Sequence, residues 1–338
     1  MPEMKDIRLT ASELAVVWSS YQNNSMSICV LNQFLQHVED QDIKEILKLA
    51  LTISEQSLQK SITILKNDGQ PLPVGFMGED VSGNAPRLYS DAFYLYYLKN
   101  MAKVGLSVYG VALATSAQGH VRDFLSKAIQ DSLDLYNKTA DVLLSKGLFI
   151  RPPYVSTSNN VDFIDDKSYL GGILNLGNNN RPLNVVEITH IGSNVEANAI
   201  GSALLTGFAQ VAQSKKVREY CTTGKEIAKK HIRVFSKMLT DDDIPSPMPW
   251  DLQVTDSTEY TFSDKLIMFH SALIISSSIS NYATASAVSL RSDIIANYVR
   301  LSAESAQFGK DGADIMVKNK WIEQPPQIPN HKKLAKED

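Results

Sequence analysis

The sequence of 338 residues is short of cysteine, of basic runs and of long apolar runs. Its two cysteines, Cys29 and Cys221, cannot make a cysteine-rich metal clip or a disulfide framework, and two lone thiols fit a reducing compartment. The net charge of -4 gives no broad basic field, and no Lys/Arg run interleaves with aromatics, which argues against nucleic acid as a partner. The cluster Lys225, Lys229, Lys230 reads as a solvated helix face. The first residues, Met-Pro-Glu-Met-Lys-Asp, place acid where a signal peptide needs base before an apolar run, so the chain is expected to be made and kept inside the cell. No stretch reads as long and apolar enough to span a membrane. Nucleophile elbow, phosphate loop and dinucleotide fingerprint are all missing, so the sequence names no catalytic residue and no organic cofactor.

What is present is repetition. Leu9, Glu13, Phe34, Glu45, Pro71 and Pro73 recur 174 positions later as Leu183, Glu187, Phe208, Glu219, Pro245 and Pro247. From Ser90 onward the spacing is 173: Ser90, Asp91, Tyr109 and Pro152 recur as Ser263, Asp264, Tyr282 and Pro325. The chain is a duplication, and each residue can be compared with its internal counterpart. The cysteines fail that comparison, because Cys29 aligns with Ala203 and Cys221 with Leu47.

Each copy reads as four long helices. Leu14, Val17, Tyr21, Ile28, Leu31 and Leu35 hold the three-and-four spacing of one helix face. The periodicity predicts helices over about 10–37, 40–64, 90–117 and 120–146, and again over 184–212, 215–240, 263–288 and 291–319. Glycine and proline gather only between them. At 1.5 Å per residue such helices are about 40 Å long. The link between the second and third is about 22 residues, long enough to run the length of a bundle as a crossover. With 43% hydrophobic residues each half can bury a core. The expected organisation is a first bundle over 1–153, a linker over 154–182, a second bundle over 183–328 and a frayed tail over 329–338. Phe163, Ile164, Tyr169, Leu170, Ile173 and Leu176 make the linker too apolar for a free tether, so it is expected to pack across the junction.

The Leu-Thr-x-x-Glu opening, Pro-Leu-Pro-Val-Gly-Phe at 71–76, Leu-Tyr-Asn-Lys at 135–138 and Arg-Pro-Pro-Tyr at 151–154 resemble an uncharacterised family of endospore-forming bacteria. Its members are tandem ferritin-like bundles often labelled spore coat proteins. The resemblance covers nearly the whole chain. It implies an all-α fold of two tandem ferritin-like four-helix bundles and a non-enzymatic structural or interaction role with other proteins, with deposition on the spore surface, and brings no catalytic residues.

A ferritin-like plan raises the question of a di-iron site, which draws one Glu from each of two helices and Glu-x-x-His from the other two. The sequence has a single match, Glu187-Ile-Thr-His190, on a first helix; its counterpart is Glu13-Leu-Ala-Val16. The duplicated ligand set is absent. Thr10-x-x-Glu13 and Asn184-x-x-Glu187 both fit a capping box, which explains the glutamates without metal. His190, His231 and His270 occur only in the second copy, in place of Val16, Ser57 and Tyr97. One reading makes them partly buried groups bonded to serine or backbone. The other places a zinc, iron or manganese ion in the second bundle around Glu187, His190 and His231. Tyr109 and Tyr282 recur among small residues on the third helices, which points to buried polar networks, with a small-ligand cavity beside them as the alternative.

Overall fold

The computed structural model describes residues 8–156, 160–171, 181–247, 253–331 and 335. Among these the chain is all-α, with eight long helices in two sets of four. The first set is α1 (Ala11–His37), α2 (Gln41–Asn67), α3 (Asp91–Ala114) and α4 (Gly119–Ser145). The second is α5 (Val185–Val211), α6 (Lys215–Thr240), α7 (Asp264–Val288) and α8 (Ser292–Lys318). α1 pairs with α2, α3 with α4, α5 with α6 and α7 with α8.

Polar contacts at the helix ends fix the path. The N–H of Leu9, just before α1, donates to Asp68 Oδ1 at 2.8 Å, so α1 begins where α2 ends. Asp91, in the first turn of α3, accepts from the N–H groups of Glu39 (3.2 Å) and Asp40 (2.8 Å). α3 therefore begins at the far corner, where α1 turns into α2. Segment 68–90 must traverse the whole set, and α2 and α3 run parallel. The second set repeats the bonds: Leu183 N–H to Asp242 (2.6 Å), and Gln213 and Ser214 N–H to Asp264 (2.9 and 2.8 Å).

Glu13 and Glu187 do more than cap their own helices. The capping boxes are present at both, with Thr10 and Asn184. The other carboxylate oxygen of Glu13 accepts from the N–H groups of Ala117 (2.9 Å) and Gln118 (2.6 Å), at the start of α4. Glu187 likewise accepts from Leu290 and Arg291, both at 3.1 Å, at the start of α8, and carries a two-pronged ion pair with Arg181 at 2.8 Å. Burial alone would raise the Glu187 carboxyl; Arg181 and the N–H donors outweigh it and bring it down to about 2. For Glu13 the same contest, won by the N–H groups of Gln118, Thr10 and Ala117, leaves it below its usual range.

The two crossovers meet. Val81 forms an antiparallel bridge with Phe262, and Tyr89 with Val254. Ser82 N–H donates to the Thr261 carbonyl (2.9 Å) and Thr255 N–H to Leu88 (2.9 Å); Ser90 N–H donates to Gln253 (3.0 Å) and Ser263 N–H to Asp80 (2.9 Å). Every one of these bonds has its mate at the 173-residue spacing. Around them lies a single core drawn from both sets, holding Phe34, Tyr89, Phe93, Tyr94 and Tyr97 of one and Phe208, Phe262, Leu266 and Ile267 of the other. The opposite ends keep separate cores, around Val17, Leu65 and Phe124 in the first set and around Phe235, Tyr282 and Tyr298 in the second. Tail residue Glu323 also reaches across, accepting from Val74 and Gly75 N–H, both at 2.9 Å. Gly75 lies at φ +64°, and a Cβ there would sit 2.7 Å from Ser25 Oγ, so only glycine fits the site.

Residues 160–170 of the linker are mostly exposed. Val161 and Phe163 are 88% and 91% exposed, Ile164 is exposed and Leu170 is 42% exposed; Ile173 and Leu176 lie outside the described residues. Val155 packs against the separate core of the second set, the Arg181 guanidinium lies 4.0 Å from the Tyr169 ring centre, and Ser292 bonds the Leu170 carbonyl at 3.0 Å. Most of the tail after Pro329 also lies outside the described residues. The expectation that no stretch is long and apolar enough to span a membrane meets one borderline helix among the described residues. α7 meets that test by length and composition alone. Its Leu266, Ile267, Met268, Ile275 and Tyr282 are buried against the other helices.

Replacing Glu187 by Ala strips two helix starts and Arg181 of their acceptor, so Glu187→Ala is expected to cost about 3 kcal/mol in urea unfolding. Asn184→Ala should cost about 1 kcal/mol; equal costs would mean that the bonds to α8 contribute nothing. Because the folded value lies below the unfolded 4.5, the Glu187 contribution is in place above pH 4.5 and is lost as pH falls toward 2.

Candidate functional site

Among the described residues, a polar cluster inside the second set draws one residue from each helix. Asn198 on α5 donates from Nδ2 to the Tyr282 hydroxyl on α7 at 2.8 Å, and also to the Asn194 carbonyl at 2.8 Å. The Tyr282 oxygen lies 2.9 Å from His231 Nδ1 on α6. His231 Nε2 lies 3.2 Å from Glu304 on α8, whose carboxylate also takes Lys230 at 2.7 Å. Glu304 can only accept, which puts the His231 proton on Nε2 and leaves Nδ1 as an acceptor for the Tyr282 hydroxyl, which has Asn198 Oδ1 at 3.1 Å as a second acceptor. Tyr282 and His231 are 0% and 1% exposed, and the chain of bonds reaches solvent only through Glu304 and Lys230.

Burial governs its electrostatics. Desolvation lowers the His231 pKa against the pull of Glu304, so the ring is neutral near pH 7. Burial raises the Tyr282 phenol well above its ordinary value. Glu304 is held low, since Lys230 and the His231 bond outweigh its partial burial. The cluster is a closed relay of neutral donors ending on a surface carboxylate. A metal ion would have to displace Tyr282 or Glu304 to reach a His231 nitrogen.

The counterparts in the first set are Asn24, Ser57, Tyr109 and Asp131. They make no such chain. Asn24 turns to the Ser20 carbonyl (2.8 Å) and hydroxyl (3.0 Å), and Asp131 pairs with Lys127 on its own helix. Tyr109 is half-buried and edge-on to Phe124. Tyr282 bonds Asn198 and His231, whereas Tyr109 packs on an aromatic ring.

The residues weighed for a metal are dispersed. Glu187 is at the corner of α5 and α8, with both oxygens bonded. His190 is half-buried, and its pKa is lowered by burial and by Lys103 of the first set. His231 is committed to Tyr282 and Glu304. Among the described residues no group of three or more His, Cys, Asp or Glu side chains converges. His270 is remote from them: its Nε2 faces the Tyr97 hydroxyl at 3.3 Å, and Tyr97 is its own counterpart in the other copy. Two surface clefts, one along α2 at Glu55, Gln59 and Thr63 and one between Phe149 and Pro247, touch neither Tyr109 nor Tyr282.

That Asn198 and Glu304 join His231 and Tyr282 is not evident from the sequence reading. The signal was available, since an Asn on the first helix and an acid on the fourth recur in both copies as Asn24/Asn198 and Asp131/Glu304.

His231→Ala removes the bonds to both Tyr282 and Glu304 and empties a buried site, and is expected to cost about 3 kcal/mol, Tyr282→Phe about 1 kcal/mol. A double-mutant cycle should return at least about 1 kcal/mol of coupling; additivity would mean the bond is not formed. For His270, burial lowers the pKa from 6.5 to about 3. The unfolded chain then takes up a proton that the folded chain refuses, so stability is complete above pH 6.5 and declines as pH falls toward 3. His270→Phe should lose less stability than the parent between pH 6.5 and about 4 in urea titrations; equal losses would contradict the assignment.

No curated protein matches the chain. Among solved structures, a putative spore coat protein from Bacillus halodurans C-125 is similar at 19% identity, covering 45% of this chain and 99% of its own, with a TM-score of 0.41. The family described as a protein of unknown function, DUF3231, matches residues 2–161 and again residues 171–334. Because those two matches take in nearly the whole sequence, this chain belongs to the DUF3231 family.

Proposed function

We propose that the chain is a non-enzymatic structural protein: two fused ferritin-like bundles that present rigid surfaces to other proteins, made in the cytoplasm and deposited on the spore surface. The observation that carries this reading is how the buried and half-buried polar groups are used. Glu13, Glu187, Asp91 and Asp264 close helix corners, and Tyr282, His231 and Glu304 bond one another. Groups that could ligate or attack are engaged in holding helices together. The crossover of 68–90 supports the ferritin-like reading, since that fold needs one long connection between its helix pairs. The spore location rests on the sequence resemblance at 71–76, 135–138 and 151–154.

Fractionation of a sporulating culture tests the location. The chain is expected in coat extracts that survive salt and mild detergent; recovery only from the vegetative cytosol would overturn it. Metal analysis of protein purified without chelator or histidine tag tests the non-enzymatic reading. No stoichiometric iron, manganese or zinc is expected, whereas one equivalent lost in His231→Ala would establish a metal protein instead.

A further inference from the structure

The surface that joins the two halves has the form of a two-fold dimer interface inside one chain. In such an interface residue i meets j and residue j meets i. Here Val81 pairs with Phe262 while Tyr89, the counterpart of Phe262, pairs with Val254, the counterpart of Val81. Tyr97 faces its own counterpart His270, which places the pseudo-axis between them.

Two departures from the symmetry lie in the same interface, and they complement each other. The Tyr89 hydroxyl donates to the Leu204 carbonyl at 2.8 Å and lies over Gly207; a Cβ on residue 207 would sit 2.6 Å from the ring carbon bearing that hydroxyl. On the other side of the axis, Phe262 stands for Tyr89 and Gln33 for Gly207. The extra oxygen and the missing side chain thus sit on opposite halves. The second departure is electrostatic. Lys99, 9% exposed, pairs with Glu196 at 2.8 Å, and Lys103 bonds Ser193 at 2.6 Å. Across the axis their counterparts are Ala272 with Gln22, and Ser276 with Ser19. The first half brings the cation and the second the acid.

Pairing each half with a second copy of itself would break both features. A first-half dimer would press Tyr89 onto Gln33 twice and leave Lys99 facing Gln22. A second-half dimer would leave Phe262 over the Gly207 hollow and Glu196 facing Ala272. An inward charge without its partner is strongly unfavourable, and rejection of the wrong partner is how specificity is built.

We propose that the junction is a dimer interface made hetero-specific: each half binds the other half and rejects a second copy of itself. The partner of each half is the other half of this chain, and the covalent linker is not needed to hold them.

The test uses the full chain with a protease recognition sequence inserted in the exposed stretch near Phe163. After folding and cleavage, the two pieces should co-elute as a 1:1 complex at the size of the uncut protein; separation would overturn the proposal. When the cleaved mixture is unfolded in urea and refolded, native mass spectrometry should find the mixed pair and almost no like pairs. Like pairs at statistical abundance would overturn it. Two variant sets probe the named contacts. Gly207→Gln should weaken association of the cleaved pieces at least about tenfold, with Tyr89→Phe recovering most of the loss. Lys99→Glu should do the same, with Glu196→Lys as the restoring partner. Unchanged association in both single variants would also overturn the proposal.

Discussion

A helix begins with N–H groups that no residue of its own can satisfy, and this architecture depends on how those groups are met. At four corners the acceptor is a carboxylate from a different helix. Glu13 joins the starts of α1 and α4, and Glu187 those of α5 and α8. Asp91 and Asp264 tie the α1–α2 and α5–α6 turns to the starts of α3 and α7. Each carboxylate therefore sets a distance between elements far apart in sequence. Once the corners are fixed, helices of this length can meet only along their apolar stripes.

The same corners explain why the crossovers lie where they do. Segment 68–90 is held at one end by the Leu9–Asp68 bond and at the other by Asp91, so it must run extended along the set. An extended path has backbone groups to satisfy along its length. It satisfies them on its duplicate, through the paired bonds of 80–90 with 253–263. The aromatic residues that open α3, Phe93 to Tyr97, are then enclosed between the two halves and become the centre of one core.

Much of this could be read from the sequence. Helix boundaries fell within a few residues, because the three-and-four spacing and the caps are local signals; Thr10-x-x-Glu13 and Asn184-x-x-Glu187 were legible as capping boxes. The second task of each glutamate was not, since reaching Ala117 or Leu290 is a matter of tertiary placement. The crossover pairing was hidden for another reason: 80–90 carries Gly83 and Pro86 and shows no strand-like alternation. The described linker residues divide: Val155 packs against the second set's core while Val161 and Phe163 stay in solvent, and Tyr89, Phe93, Phe208 and Phe262 fill the junction between the sets. His231 stands out as a polar residue on an apolar stripe, while its partners Tyr282 and Glu304 lie on other helices, which local spacing does not join.

The paired crossovers carry a consequence for life at low abundance. An extended segment such as 80–90, left alone on one bundle, would be an open edge of hydrogen-bonding groups beside Leu88 and Tyr89, the kind of edge that templates aggregation. Two separate chains could cover it only by meeting, and dilution would uncover it again. Duplication puts the cover on the same molecule, so the edge is closed by a unimolecular step at any concentration.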